Sequence, residues 1–367
     1  MRRKSSILPP TAPPVPRQGM VFIPSGALVV GTPPDFYPRL ADEEVPGEQV
    51  IVGGFYVDVF PYPNEEGAIP LTNVTAPDAK QLCADRGKRL CGELEWERAC
   101  KGPDQRPYEY GDRYRDDACG TGTPPQLRPS GLRVGCRSDF GVRDLHGIAF
   151  EWTSSPFRRG TTGDLVAARG GNGTSGELVG RCANAVGRAP DAAAASIGFR
   201  CCAGALGAPE VELSVRHPRK LEARDRLDSA LVGELTKTLP DEARASLLRH
   251  GAIEADRQWT WWPAGNDELT IMSFCAGTGR RALCGVLVAR VVLGKAKALT
   301  WADGGTWQPM LHAENDPRDI WLLGGDDPGA FRRRMTYQWG HVSAGKREKR
   351  PVNLKEERGA PKRGGPR

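Results

Sequence analysis

Gly87-Lys88-Arg89-Leu90-Cys91-Gly92-Glu93-Leu94-Glu95-Trp96-Glu97-Arg98-Ala99-Cys100 is the stretch on which the reading of this chain turns. From Glu93 to Cys100 it predicts a helix that places Leu94, Trp96 and Cys100 for burial. Its acidic run, Glu93, Glu95 and Glu97, is dense enough to suggest acid/base work. Just upstream, Ala76-Pro77-Asp78-Ala79-Lys80-Gln81-Leu82-Cys83-Ala84 predicts another helix, with proline at an early position where the missing N–H does no harm. Around these two helices the sequence is rich in glycine and in short β segments.

Further blocks flank this stretch in order. Gly19-Met20-Val21-Phe22-Ile23-Pro24-Ser25-Gly26 and Gly54-Phe55-Tyr56-Val57-Asp58 precede it. Tyr108-Glu109-Tyr110-Gly111, Asp139-Phe140-Gly141-Val142-Arg143-Asp144-Leu145-His146-Gly147, Glu151-Trp152-Thr153, Arg169-Gly170-Gly171 and Ile197-Gly198-Phe199-Arg200-Cys201 follow it. Together, over residues 18 to 203, they resemble a formylglycine-generating-enzyme, or sulfatase-modifying-factor, domain, with Cys91 where a proline is usual. The resemblance implies an α+β, loop-rich, C-type-lectin-like fold over residues 19–205. It also implies that Glu95 and Trp96 are structural, anchoring the helix to the core.

In active relatives the segment after Arg-Gly-Gly carries two cysteines that bind copper and attack a substrate cysteine. A soft Cu(I) ion needs such thiolates. Here the segment reads Asn172-Gly173-Thr174-Ser175-Gly176-Glu177-Leu178-Val179-Gly180-Arg181-Cys182, is a few residues shorter, and has Cys182 alone. Counted back from Pro190-Asp191 and Gly198-Phe199-Arg200, Cys182 falls on a structural disulfide position of the family. No copper and no formylglycine generation are therefore expected. Ser175 has no neighbouring base and no Gly-x-Ser-x-Gly elbow, and reads as loop. Iron-dependent relatives use three histidines. This chain has five, His146, His217, His250, His312 and His341, with no H-x-x-x-H pair and only His146 in the family-like region.

Ten cysteines with no C-x-x-C or zinc spacing favour disulfides over metal, the alternative being ten buried thiols. The resemblance implies bridges Cys83 to Cys201 and Cys100 to Cys182. Cys91 and Cys202 each adjoin a member of the first bridge and suggest a parallel link, while Cys119 with Cys136 and Cys275 with Cys284 would close local loops. The resemblance also implies a structural Ca²⁺ held by the side chains of Asp144 and Glu151 and the carbonyls of Gly147 and Ala149, a mixed oxygen set suited to a hard ion. The family's other calcium site falls in the shortened region around Cys119 to Cys136 and is not expected here.

At 367 residues there is room for a second domain, and residues 210–344 read as a smaller α+β domain of no recognised family. Arg219 to Lys237 carries Leu227, Leu231 and Leu235 at helical spacing, Pro240 opens a shorter helix ending near His250, and strands follow. In Trp259-Thr260-Trp261-Trp262, alternation puts Trp259 and Trp261 on one face, so at least one of Trp259, Trp261 and Trp262 is expected to be exposed and to meet a partner.

Residues 1–18 read as a proline-rich tether and 345–367 as a basic, disordered tail. From Lys346 to Arg367 nine Lys or Arg stand against three Glu, which accounts for the whole net charge of +6. A tail of this kind is solvated, or touches a polyanion. No apolar run long enough for a membrane span exists. Disulfides argue for an extracytoplasmic location (periplasm, outer-membrane-associated or secreted), yet no apolar stretch follows the basic Met1-Arg2-Arg3-Lys4. Either the start lies upstream, or an anchor has been removed, or the compartment is not oxidising. The reading is a non-catalytic binding or scaffolding protein with a protein partner in a cell-envelope or surface assembly. Its alternative is an enzyme with relocated chemistry, an oxidoreductase acting on a cysteine or small thiol.

Overall fold

The computed structural model describes residues 15–349 apart from 37, 125, 160–163, 173, 175, 209–210, 212, 214–218, 279–281, 306–309, 314–317 and 325–330. It divides into two compact units, Met1–Arg216 and His217–Arg367. Strands outnumber helices in both, so the chain is α+β. Among the described residues no helix is long and apolar enough to cross a membrane.

In the first unit the elements run β1 (Met20–Ile23), β2 (Gly26–Gly31), β3 (Pro46–Val52), β4 (Phe55–Asp58), α1 (Ala76–Ala84), β5 (Arg89–Leu90), α2 (Glu93–Lys101) and α3 (Asp116–Cys119). Then come β6 (Phe150–Pro156), β7 (Val166–Gly170), β8 (Ala185–Arg188), β9 (Ile197–Phe199) and β10 (Cys201–Ala203). One sheet has the order β1-β4-β10-β5, another β8-β7-β6-β9, and β2 pairs with β3 as a separate ribbon. Most of these strands are too short to hold a sheet alone. Two cores compensate. Leu94, Trp96 and Cys100 of α2 pack with Phe55, Val57, Val142 and Leu145, while Ala79 and Cys83 of α1 pack with Trp152, Ile197 and Phe199.

Helix α1 starts at Thr75, whose hydroxyl accepts the Asp78 N–H at 3.2 Å while Asp78 accepts the Thr75 N–H at 3.3 Å. This reciprocal cap satisfies two otherwise orphaned donors and sits beside Pro77. Four bridges stitch the unit: Cys83–Cys201, Cys91–Cys202, Cys100–Cys182 and Cys119–Cys136. The first two run side by side because Cys201 and Cys202 lie opposite Leu90 and Arg89 in the β10–β5 pair.

The unit extends past the boundary expected near residue 205. Val211 joins the α2 core and Leu213 bridges to Arg159, so apolar residues beyond Gly207 still belong to it. At the other end, residues 1–14 of the expected tether lie outside the described residues. From Val15 onward the chain lies along Tyr56, whose hydroxyl donates to the Val15 carbonyl at 2.7 Å while the Arg17 guanidinium stands 4.9 Å from the ring centre.

The second unit contains β11 (Lys220–Ala223), α4 (Ser229–Lys237), α5 (Asp241–Leu248), β12 (Ile253–Ala264), β13 (Asp267–Ala276), β14 (Leu283–Val292) and β15 (Lys295–Gly305). It continues with β16 (Met310–Ala313), β17 (Asp319–Gly324), β18 (Phe331–Gln338) and β19 (His341–Lys349). Two antiparallel sheets, β11 to β15 and β16 to β19, are each ordered as in sequence. Helices α4 and α5 cover one face of the larger sheet, with Leu235, Leu239 and Leu247 against Met272, Phe274 and Leu287. On the other face Trp261 meets Tyr337 of β18 edge-on at 6.3 Å between ring centres. Cys275–Cys284 joins residues directly opposed in β13 and β14.

Three expectations for this unit are corrected. The helix read over 219–237 occupies only Ser229–Lys237, because Lys220–Ala223 pair as a strand with Trp259–Trp262 and Asp228 caps a later start by accepting the Ala230 N–H. Trp259, Trp261 and Trp262 are all buried, at 5%, 0% and 4% exposure, so the expected exposed partner surface is absent there. Alternation assigns the tryptophans to two faces correctly, but both faces of this strand are covered. Finally, Gly345–Lys349 belong to β19, paired with β18, and are not disordered tail. Residues 350–367 lie outside the described residues.

Candidate functional site

Every residue of α2 is buried, although five of its nine are charged. Each charge is answered from elsewhere. Glu95 takes a two-pronged ion pair from Arg89 at 2.7 and 2.8 Å and closes the helix start by accepting the Gly92 N–H at 2.8 Å. Glu93 meets Arg159 and Arg169; Glu97 meets Arg169 at 2.6 Å and Lys101 at 2.7 Å. Burial opposes ionisation of Glu97, but Lys101 and Arg169 outweigh it and hold its pKa below the usual carboxylate range. Arg98 reaches out to the carbonyls of Pro24 and Ala27 at 2.9 and 2.6 Å. With each acid locked in an ion pair or hydrogen bonds, the run is a scaffold rather than an acid/base pair.

The segment that would hold catalytic thiols follows β7. Cys182 is bonded to Cys100 of α2, and its N–H donates to the Pro107 carbonyl at 2.7 Å. Arg181 turns inward, pairing with Glu44 at 2.5 and 2.8 Å, and Thr32 donates to the same carboxylate at 2.5 Å. Burial raises the pKa of Glu44, but Arg181 overrides it and the acid stays below its ordinary value. Glu177 is exposed and accepts from the Tyr108 hydroxyl at 3.1 Å, beside a cluster in which Tyr108 stacks on Tyr110 with centres 5.6 Å apart. Burial and the Glu177 charge push the Tyr108 phenol up; burial first of all pushes Tyr110 up to about 12. Ser175 lies outside the described residues. All ten cysteines are in bridges and none is free.

Beside this segment lies a cavity of about 220 Å³, lined by Val29, Thr32, Phe36, Lys101, Gln105 and Arg181 among others. Its cationic groups are already engaged, Lys101 by Glu97 and by the carbonyls of Val29 and Gly31, Arg181 by Glu44. What faces the opening is apolar, with Phe36 41% exposed.

The loop expected to hold calcium brings Asp144 and Glu151 around Arg200. Glu151 accepts from Arg200 at 2.6 and 2.7 Å and from the Trp96 indole N–H at 2.7 Å; Arg200 also donates to the Asp144 carbonyl at 3.2 Å. Asp144 accepts the Gly131 N–H at 2.6 Å through Oδ2, while its Oδ1 is buried without a hydrogen bond. Burial pushes the Asp144 acid up to about 6. A buried carboxylate oxygen with no donor is the kind of group a hard cation satisfies, whereas Glu151 is already balanced by Arg200. Gly147 is irreplaceable in this loop: it has φ of +85°, and a Cβ would stand 1.7 Å from the Cys119 carbonyl oxygen. Glu44, Arg159 and Arg181 are the site residues that local sequence signals did not reveal, since each acts on a partner far along the chain.

Residues 61–205 match the Sulfatase-modifying factor enzyme 1-like domain family. Over 174 residues the chain is 31% identical to an Inactive C-alpha-formylglycine-generating enzyme 2 from Bos taurus, covering 41% of this chain and 54% of that protein. A Hercynine oxygenase from Mycolicibacterium thermoresistibile is 35% identical over 95 residues, 24% of this chain and 21% of that one. PvdO from Pseudomonas aeruginosa aligns on 50% of this chain and 93% of its own, with 21% identity and a TM-score of 0.41. The chain thus spans about half the length of the bovine relative. Residues 61–205, which include helix α2, are the part of the chain that is similar to this family.

Proposed function

We propose that this is a non-catalytic binding or scaffolding protein that works outside the cytoplasm. One observation carries the reading: every cysteine is bridged, including Cys182, the one cysteine of the segment after Arg-Gly-Gly. Thiolate chemistry on a substrate cysteine, or on copper, has no residue here to start from. The curated relative named as inactive supports the same conclusion. Five disulfides suit an oxidising compartment. The cavity beside the vacated segment, mostly apolar and with its charges internally paired, is where a small, largely uncharged ligand group would sit. A structural Ca²⁺ at Asp144 and Glu151 is part of this proposal, resting on the unpartnered Asp144 oxygen.

The test is direct. Purified protein, loaded with copper and a reductant, is incubated with a sulfatase-type cysteine peptide and the product followed by mass spectrometry. No formylglycine is expected, and turnover would overturn the proposal. The likeness to a hercynine oxygenase makes iron chemistry the second assay. The first unit's described histidine, His146, is fully buried between Glu109 and the Arg181 carbonyl, so no iron-dependent turnover is expected either.

A further inference from the structure

Glu109, Cys119 and Cys136 form a buried cluster separated from the segment after Arg-Gly-Gly by the His146 ring, which stands between Glu109 and the Arg181 carbonyl. Glu109 Oε1 lies 2.9 Å from Cys119 Sγ and 3.0 Å from Cys136 Sγ. Among the described residues this is the one group of three metal-type donors, its ligand atoms all within 4.8 Å of one another. Glu109 is 1% exposed and both cysteines 0%. In the bridged state neither sulfur carries a proton, so the carboxylate oxygen faces two sulfur lone-pair shells and neither sulfur can donate to it. Oε1 accepts instead from the His146 N–H at 3.1 Å, with His146 Nδ1 3.2 Å away, while Oε2 accepts from the Leu145 N–H at 3.3 Å. The carboxylate is therefore held rigidly against the sulfurs from behind.

We propose that reduction of the Cys119–Cys136 bridge opens a site for one thiophilic d¹⁰ divalent cation, Zn²⁺ by preference, ligated by both thiolates and Glu109. The two Cα atoms are 4.8 Å apart, close enough for both thiolates to chelate a single ion. Two thiolates with one carboxylate, and water in a fourth position, are a tetrahedral zinc set and a poor calcium set. The chemistry balances: a dithiol gives two electrons and two protons to the bridge and itself becomes a disulfide. The cation then displaces the two thiol protons to solvent. Two thiolates and a carboxylate against a divalent ion leave one negative charge, and the Arg128 guanidinium, which donates to the Cys119 carbonyl, lies close enough to answer it. The site belongs to the chain before it meets an oxidant, and closes when the bridge forms.

The full chain is produced in a reducing host, and the reduced state of Cys119 and Cys136 is verified by thiol alkylation and mass spectrometry. Cd²⁺ is then titrated while the ultraviolet cadmium–thiolate charge-transfer band is read, and zinc is measured by elemental analysis. We expect the reduced protein to bind one equivalent more than the reduced Cys119→Ser, Cys136→Ser variant, and the fully oxidised protein to bind none. Glu109→Gln should weaken binding of that equivalent at least tenfold, and Cys119→Ser with Cys136→Ser should abolish it. Cys275→Ser with Cys284→Ser, which removes two thiols outside the one close group of three metal-type donors among the described residues, should leave it unchanged. Since the paired serine variant risks misfolding, Glu109→Gln stands as the independent arm, its fold checked by formation of the Cys119–Cys136 bridge on oxidation. The proposal is overturned by a reduced chain that binds no cadmium, folded or not, or by binding that survives both variants unchanged.

Discussion

The two units solve the same problem by opposite means. The first has strands of two to seven residues, and holds its loops with four disulfides and a network of buried arginine–glutamate pairs. The second has strands of up to twelve residues whose ladders and apolar faces do the holding, with one short-range bridge and, among the described residues, the buried ion pair of Arg290 with Asp267, to which Tyr337 also donates at 2.7 Å. A loop-rich frame needs covalent and ionic pins because its backbone hydrogen bonds are few in any one place. A continuous meander does not.

The strongest way to break this comparison is to remove long-range bridges. Removing both parallel bridges, Cys83–Cys201 and Cys91–Cys202, by paired alanine substitutions opens separations of 118 and 111 residues and should destabilise the first unit by about 5 kcal/mol, against about 2.5 kcal/mol in the second unit for the nine-residue Cys275–Cys284 link. Calorimetry would show the lower transition shift far more in the first case. Equal shifts would mean that the bridges are ornaments on a self-sufficient core.

Next comes the ionic frame. Arg169→Met leaves buried Glu93 to Arg159 alone and Glu97 to Lys101 alone, and should cost about 3 kcal/mol, measured by denaturant unfolding. Of similar or somewhat smaller size, Trp261→Ala should cost about 3 kcal/mol of second-unit stability by leaving a cavity against Tyr337. A variant that stays stable but loses a partner would restore the tryptophans as a contact surface.

The smallest effect sharpens the comparison. Asp144 has a folded-state pKa of about 6, above its unfolded value, so its contribution favours the fold below the unfolded pKa and is lost as pH rises through 6. In chelated protein, Asp144→Asn should therefore raise stability at pH 7 by on the order of 2 kcal/mol and do nothing at pH 4. Excess Ca²⁺ should stabilise the native chain at pH 7 and leave the variant unmoved. A melting curve indifferent to both chelator and calcium would remove the ion from the account.

Much of the first unit was legible because its signals are local and ordered: the Gly87–Cys100 block, the early proline of α1, and cysteines whose pairing the family resemblance implies. The ion pairs were not, since nothing near Glu93 announces Arg159 or Arg169, which lie 66 and 76 residues away. Nor was the fate of the tryptophans. A period of two tells which residues share a face, but whether that face is roofed depends on a second sheet whose strands begin some fifty residues later. The same limit hid β19, where alternation is weak and charge dominates.

That last strand stands at the open margin of its sheet, with Lys346, Arg347 and Lys349 exposed along it. An edge strand offers N–H and C=O groups to any passing chain, and exposed charged side chains, here Lys346, Arg347, Glu348 and Lys349, make the dry pairing of a neighbour there costly. Charged side chains along an edge strand are one means by which sheets disfavour pairing edge to edge with a second copy.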